Sequence, residues 1–412
     1  MVIGMDRRRL WCGVSGVGLA LTNLAPVRLR KGVSIVATGS KKPMISKAGF
    51  LFSFFVLVVL TLPSQASNPG QAGFELPQPN GCHPVGTRTV VLTDPHRNRD
   101  LLVTIWYPAV EGTSALAPYM DKKTANALAE EWKLQQGFQR LVRTHARLQA
   151  PIAKGGPFPI VLVEHGSSVV PAIYTILAEG LASNGFIVVA TNHPPDSLIS
   201  VFPDGHELEF TPYWPAEADR RTQGVAIGKF ADEVLVADVR FVLDQIQEMN
   251  SHDHFWHGQL DLSKIGIVGH SMGGTTAALA TQQEPRILAG VNLDGSTYPG
   301  MNGDVRPIPV HKPFLFLATE EHASGESRAR EYVGSESNTY YVVVTGADHM
   351  SFIDADLLSS RFTRDLKPDD SAFERALITS TYTRSLVEEF LAKYLKAGVA
   401  PDLDLIVRVD KK

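Results

Sequence analysis

Gly269-His270-Ser271-Met272-Gly273 is a G-x-S-x-G pentapeptide set between an apolar run, Lys264–Val268, and a helical pattern, Thr275–Gln282. A serine hydroxyl is a weak nucleophile. It becomes a useful one where a sharp strand-to-helix turn exposes it at the top of a sheet, over the first turn of a helix. So tight a reversal admits only glycine two residues to either side, and the helix N-terminus favours negative charge beside it. The pattern points to acyl transfer, with Ser271 attacking a carbonyl carbon and an oxyanion forming next to the amide of Met272.

Such a serine needs a base, and the base needs an orienting carboxylate. In sites of this type the chain order is serine, acid, histidine. Of thirteen histidines, only His270, His311, His322 and His349 follow the first glycine of the motif. His349 alone lies in a loop directly after a late apolar run, Tyr341–Val344 followed by Thr345-Gly346-Ala347-Asp348. His270 belongs to the turn itself, with its side chain directed away from the line of attack. Two places stay open for the acid. Asp294 ends the apolar run Leu288–Leu293, while Glu320 or Glu321 follows the next run; an Asp-Gly pair at a strand end is also a common turn, so residue types alone do not choose.

Positioning these residues requires a particular scaffold. Val90, Leu92 and Leu102–Trp106 read as two antiparallel strands joined by a turn at residues 94–98. From Gly155 onward, short runs apolar on both faces alternate with helical patterns: Ile160–Val163, Phe186–Ala190, Ile265–Val268, Ile287–Leu293, Phe314–Ala318 and Tyr340–Val344, with helices about Ile173–Ala182, Asp232–Met249, Met272–Gln282 and Phe373–Tyr394. Strands of that kind form a parallel sheet covered on both sides. The expectation is an α/β-hydrolase fold, with a mostly parallel central sheet, helices on both faces, and one domain over 67–412. Residues 110–155 form an insertion in which Ala127, Leu134, Phe138, Leu141 and Val142 recur at three-four spacing. This predicts an amphipathic helix, either packed on the surface or serving as a lid over the substrate.

The stretches Gly269-His270-Ser271-Met272-Gly273-Gly274, Asp294 with Tyr298-Pro299 after it, and Gly346-Ala347-Asp348-His349-Met350-Ser351-Phe352 resemble the secreted platelet-activating factor acetylhydrolase family, in a bacterial-type member. So do Glu164-His165-Gly166 and Leu181–Val188, and the resemblance runs from about Arg88 to Leu358. It implies Asp294 as the acid, because in that family the acid follows the strand after the nucleophile helix. It also implies the Ser167 amide, after the His165-Gly166 pair, as the second oxyanion donor. The chain departs from the mammalian members where an aromatic residue usually follows the acid, here Gly295-Ser296, and in the lid.

Residues 1–66 read as a precursor segment. Lys41, Lys42 and Lys47 precede the apolar run Ala48–Leu62, and Ser64-Gln65-Ala66 supplies small residues for cleavage after Ala66, with Met44 as the expected true start. A fifteen-residue run is short for a permanent span, and Arg7-Arg8-Arg9 is a weaker, twin-arginine alternative. The segment holds nine Lys/Arg and one Asp, which leaves 30 basic and 42 acidic residues, a net charge of −12, on the remainder. That field argues against nucleic acid as a partner. Losing Cys12 with the precursor would leave Cys82 alone, with no internal disulfide and no cysteine-held zinc. The run Ser251–His257 carries three histidines but has the look of a solvated connection rather than a metal site.

No cofactor is called for. The sequence therefore predicts a secreted or periplasmic serine esterase acting through an acyl-enzyme on short-chain esters or on short- or oxidised-chain phospholipids, with transient contact to a lipid surface. A broader lipase or polyester hydrolase is the alternative; an acyltransferase with the same triad is a further one, and a silent binding module would lack a triad member.

Overall fold

The computed structural model describes residues 73–296, 311–325 and 338–396. The segment read as a precursor, with its start and cleavage sites, lies outside them. Strands run in chain order as β1 (Phe74–Glu75), β2 (Val85–Asp94), β3 (Arg99–Pro108), β4 (Leu116–Pro118), β5 (Val142–Leu148), β6 (Phe158–Glu164), β7 (Ile187–Asn192), β8 (Ile199–Val201), β9 (Glu207–Glu209), β10 (Leu260–His270), β11 (Ile287–Leu293), β12 (Phe314–Ala318) and β13 (Thr339–Val343). All but β8 and β9, which pair with each other, join one sheet in the order β1-β5-β2-β3-β7-β6-β10-β11-β12-β13, with β4 on β5. From β7 to β13 along that order every pairing is parallel. The β2–β3 hairpin attaches to β7 antiparallel.

Alternation along the buried strands builds two cores. Ile160 and Leu162 of β6, Ile265 and Ile267 of β10, and Phe314 and Phe316 of β12 face one side, where they meet α4 (Val236–His252) and α5 (Met272–Gln283). Val161 and Val163, Val268, Val291 and Leu315 face the other, against α2 (Thr175–Ser183) and the long C-terminal helix Asp370–Leu395. Strands buried on both faces carry continuous apolar runs for this reason, which is why they were readable in the sequence. The arrangement is that of an α/β-hydrolase, with its helices on both faces.

The insertion differs from the expectation. A helix, α1 (Lys122–Glu131), does form, capped by Asp121, whose side chain accepts from the Lys123 and Thr124 amides. It stops there, with Lys133 at φ 54 and Gly137 at φ 81, and the second half becomes strand β5, whose Val142, Thr144 and Ala146 face inward. β5 pairs with both β1 and β2, so this part of the insertion is sheet and not helix. A period of two beginning at Val142 was masked by apolar residues that also fit helical spacing. Leu128, Leu134 and Phe138 are fully buried in the main core. These side chains of the insertion pack into the core of the domain.

Sequence patterns also passed over α3 (Arg220–Phe230) and the helix Ala355–Phe362. Cys82, expected to stand alone once Cys12 is lost with the precursor, is disulfide-bonded in the full-length chain. Among the described residues, no helix is long and apolar enough to cross a membrane.

Candidate active site

β10 ends at His270 and α5 begins at Met272, so the whole chain reversal falls on Ser271, which adopts φ 55 and ψ −118. A non-glycine residue there carries local strain, on the order of 1–3 kcal/mol, that only a well-braced surround sustains. The bracing is explicit. The Ser271 amide donates to the Leu293 carbonyl at 3.0 Å, and its own carbonyl accepts from Gly274 and Thr275. A Cβ on Gly269 would sit 1.8 Å from the Gly273 carbonyl oxygen, and one on Gly273 would sit 2.1 Å from that of Glu164. Both glycines are therefore obligatory, because strand and helix cross in backbone contact. Gly295 is under the same constraint, with its added Cβ 2.3 Å from the Ser271 carbonyl oxygen. Position 295 therefore admits no side chain.

Asp294 lies at the end of β11 with only 5% of its surface exposed. Its Oδ2 accepts from His349 Nδ1 at 2.8 Å, and its Oδ1 accepts from the Thr319 amide at 2.7 Å. Burial alone would push this carboxyl up, but hydrogen bonds from His322, His349 and Thr319 outweigh it and hold Asp294 well below the usual carboxylate range. His322 was not assigned a role from the sequence, yet its Nδ1 stands 3.3 Å from Asp294 Oδ1. Glu320 is turned elsewhere, accepting from the Gly346 amide. The geometry thus brings Asp294, and not Glu320, to His349.

His349 opens a short turn, His349–Phe352, capped by Asp348 and Ser351. With Nδ1 donating to Asp294, Nε2 keeps a lone pair, and the ring is 46% exposed. Among the described residues the Ser271 hydroxyl makes no hydrogen bond to that ring; catalytic contacts of this kind commonly tighten only with substrate bound. His270 is fully buried and connects two halves of the site. Its Nε2 donates to the His349 carbonyl at 2.8 Å, and its Nδ1 accepts from the Tyr174 hydroxyl at 3.2 Å. Burial depresses His270 to about 3, so it is neutral, as this pattern requires. Tyr174 in turn accepts from the Gly166 amide at 2.9 Å. Neither Tyr174 nor this role of His270 had a sequence signal, because the middle positions of the pentapeptide tolerate many residues.

The Ser167 and Met272 amides donate to no backbone carbonyl among the described residues. Among those residues, too, no cluster of three or more His, Cys, Asp or Glu side chains is arranged to hold a metal ion.

The family model described as "Platelet-activating factor acetylhydrolase, isoform II" matches residues 69–207 and 237–396. The chain belongs to this family. It is 24% identical over 306 residues to the platelet-activating factor acetylhydrolase of Cavia porcellus, covering 68% of this chain and 69% of that protein. It is 25% identical over 266 residues to a probable 1-alkyl-2-acetylglycerophosphocholine esterase of Arthroderma benhamiae, covering 58% and 64% respectively. Among solved structures it resembles a ferulic acid esterase from Streptomyces cinnamoneus, at 27% identity and a TM-score of 0.65 over 82% of this chain and 97% of that one. Like its family, this acetylhydrolase relative is a carboxylic ester hydrolase. Residues 208–236 fall between the two matched stretches.

Proposed function

We propose that the chain is a secreted serine esterase in which Ser271 is the nucleophile, His349 the base and Asp294 the orienting acid. What carries the reading is the 2.8 Å contact of His349 with Asp294 beside the strained Ser271 turn. In the first half-reaction Ser271 Oγ bonds to the ester carbonyl carbon and passes its proton to His349 Nε2. The oxyanion accepts from the amides of Met272 and Ser167, and Asp294 stabilises the imidazolium. Collapse breaks the C–O bond, and the alcohol leaves with the proton from His349. Water then attacks the acyl-enzyme, again deprotonated by His349, and the carboxylic acid departs.

The substrate class is short-chain esters, including phospholipids with a short or oxidised acyl chain. The acetylhydrolase names of the relatives support it. A broader lipase or polyester hydrolase is the second reading, and one observation favours widening the panel to aromatic-acid esters. Tyr213, stacked on Phe230 at 3.7 Å and edge-on to Trp214, lies in the stretch outside the family match, and a solved structure that the chain resembles is a ferulic acid esterase. An acyl-chain series together with an oxidised phospholipid and a feruloyl ester separates these readings. Ser271→Ala should abolish hydrolysis of p-nitrophenyl acetate and labelling by a fluorophosphonate; full activity in that variant would sink the assignment. Residues 1–66 are proposed as the export segment, and N-terminal sequencing of the exported protein should begin at Ser67.

A further inference from the structure

We propose that Asp196 is a positioning residue for the oxyanion-binding amide of Ser167, an inference that rests on the reading of the site given above. An amide N–H serves an oxyanion only if its peptide plane is held in one orientation, and in a trans peptide the N–H points opposite the preceding carbonyl. The Gly166 carbonyl, on the far side of the plane that carries the Ser167 N–H, accepts from His165 Nδ1 at 2.7 Å. That secures one end of the loop after β6. Asp196 secures the other. Its side-chain Oδ1 accepts from the Ser167 hydroxyl at 2.6 Å, and its main-chain carbonyl accepts from the Ser168 amide at 2.8 Å.

Two further observations show that this contact is built rather than incidental. Ser168 sits at φ 57, a strained conformation for serine that relaxes unless its neighbours hold it. Asp196 has no exposed surface, and its Oδ2 has no hydrogen-bond partner among the described residues. Burial keeps its carboxyl above the usual range despite the Ser167 hydroxyl, His193 and the Tyr213 hydroxyl. A fold that only needed to fill this space would use a residue without an unsatisfied oxygen. Tyr213 also donates to Oδ1, at 3.1 Å, so the same carboxyl ties the oxyanion loop to the aromatic stretch outside the family match.

The experiment is a double-mutant cycle in the full chain, read as kcat and KM on p-nitrophenyl acetate with thermal unfolding alongside. Ser167→Ala keeps the amide and removes only the tether. Both it and Asp196→Ala should lower kcat by roughly 10- to 100-fold, less than deletion of an oxyanion donor, with KM within about twofold. The double variant should be no worse than either single one. Asp196→Asn retains an acceptor for the Ser167 hydroxyl and should recover most of kcat. Additive losses, an undiminished kcat in Ser167→Ala, or no recovery in Asp196→Asn would overturn the proposal. Should Asp196→Ala not fold, the other two variants decide by the same criteria. Fluorophosphonate labelling of the parent protein at Ser271 separates the two levels: labelling with an additive cycle removes Asp196 alone, whereas absence of labelling removes both readings.

Discussion

Two histidines in this molecule are each held by carboxylates, and only one is left able to move a proton. His349 donates Nδ1 to Asp294 and keeps Nε2 open at a half-exposed ring. His193 is buried, with Nε2 2.6 Å from Glu164 and Nδ1 3.0 Å from Asp238, which also pairs with Arg99 at 2.6 Å. Since both carboxylates can only accept, both nitrogens of His193 carry hydrogen, and these partners raise it to about 9 against the opposing effect of burial. His193 is thus an imidazolium at neutral pH, joining β6, the loop after β7 and α4. The difference is one of occupancy: a base needs one nitrogen fixed and the other vacant, whereas a structural cation needs both engaged.

The comparison breaks first at the acids. On the proposed reading, Asp294→Asn should lower kcat on the order of 10^3- to 10^4-fold with the fold intact, because the imidazole loses its fixed tautomer. Glu320→Gln should stay within about twofold in the same assay. A reversed outcome would move the acid to Glu320.

His193→Gln should act on stability instead. Removing one member of a buried ion cluster strands the others, a cost of about 3–5 kcal/mol. Thermal unfolding should fall by several degrees at least, while kcat of the folded fraction changes little. A large kcat effect without loss of stability would show that His193 is not merely structural.

Between these extremes lies His322, the second histidine on Asp294. His322→Ala should reduce kcat roughly fivefold, as Asp294 keeps its contacts with His349 and Thr319 while losing one donor to a charged acceptor. No change in kcat would remove His322 from the support of the acid.

The smallest effect is on stability against pH. His193 binds its proton more tightly folded than unfolded, so its contribution is complete below about pH 6.5 and fades as pH rises toward 9. His165 and His270 show the opposite behaviour. Burial depresses both to about 3, so the stability that depends on their neutral forms is present above about pH 6.5 and declines as pH falls toward 3. Denaturant midpoints should therefore decline between about pH 6.5 and 9. A His193→Gln variant should lose that decline.

Much of this was legible before any contact was known, and the part that was not has a common cause. Strands β6 and β10 to β13 announced themselves because each is buried on both faces. The Ser271 turn was legible because its pattern is contiguous and Gly269 is demanded by Gly273, four positions on, although Gly273 is itself demanded by Glu164 at the end of β6. The insertion was misread where apolar residues satisfied two periods at once; lateral pairing of β5 with β1 and β2 decided between them. His322, Tyr174 and Asp196 had no local pattern, since their partners are 28, 96 and 29 residues away.

The sequence by itself determined the kind of chemistry and the order of its parts: a serine in a tight turn, then a carboxylate at a strand end, then a histidine after a later strand. Residue types left two places for the acid; the family resemblance implied Asp294, and tertiary structure brings that carboxylate to His349. Asp294 and Glu320 follow neighbouring strands, and β11 hands its terminal residue to a position where the Asp294 amide bonds the Leu317 carbonyl and the carboxylate takes the Thr319 amide. That choice depends on the register between β11 and β12, which is set by packing on both faces of the sheet and is written in no short stretch of chain.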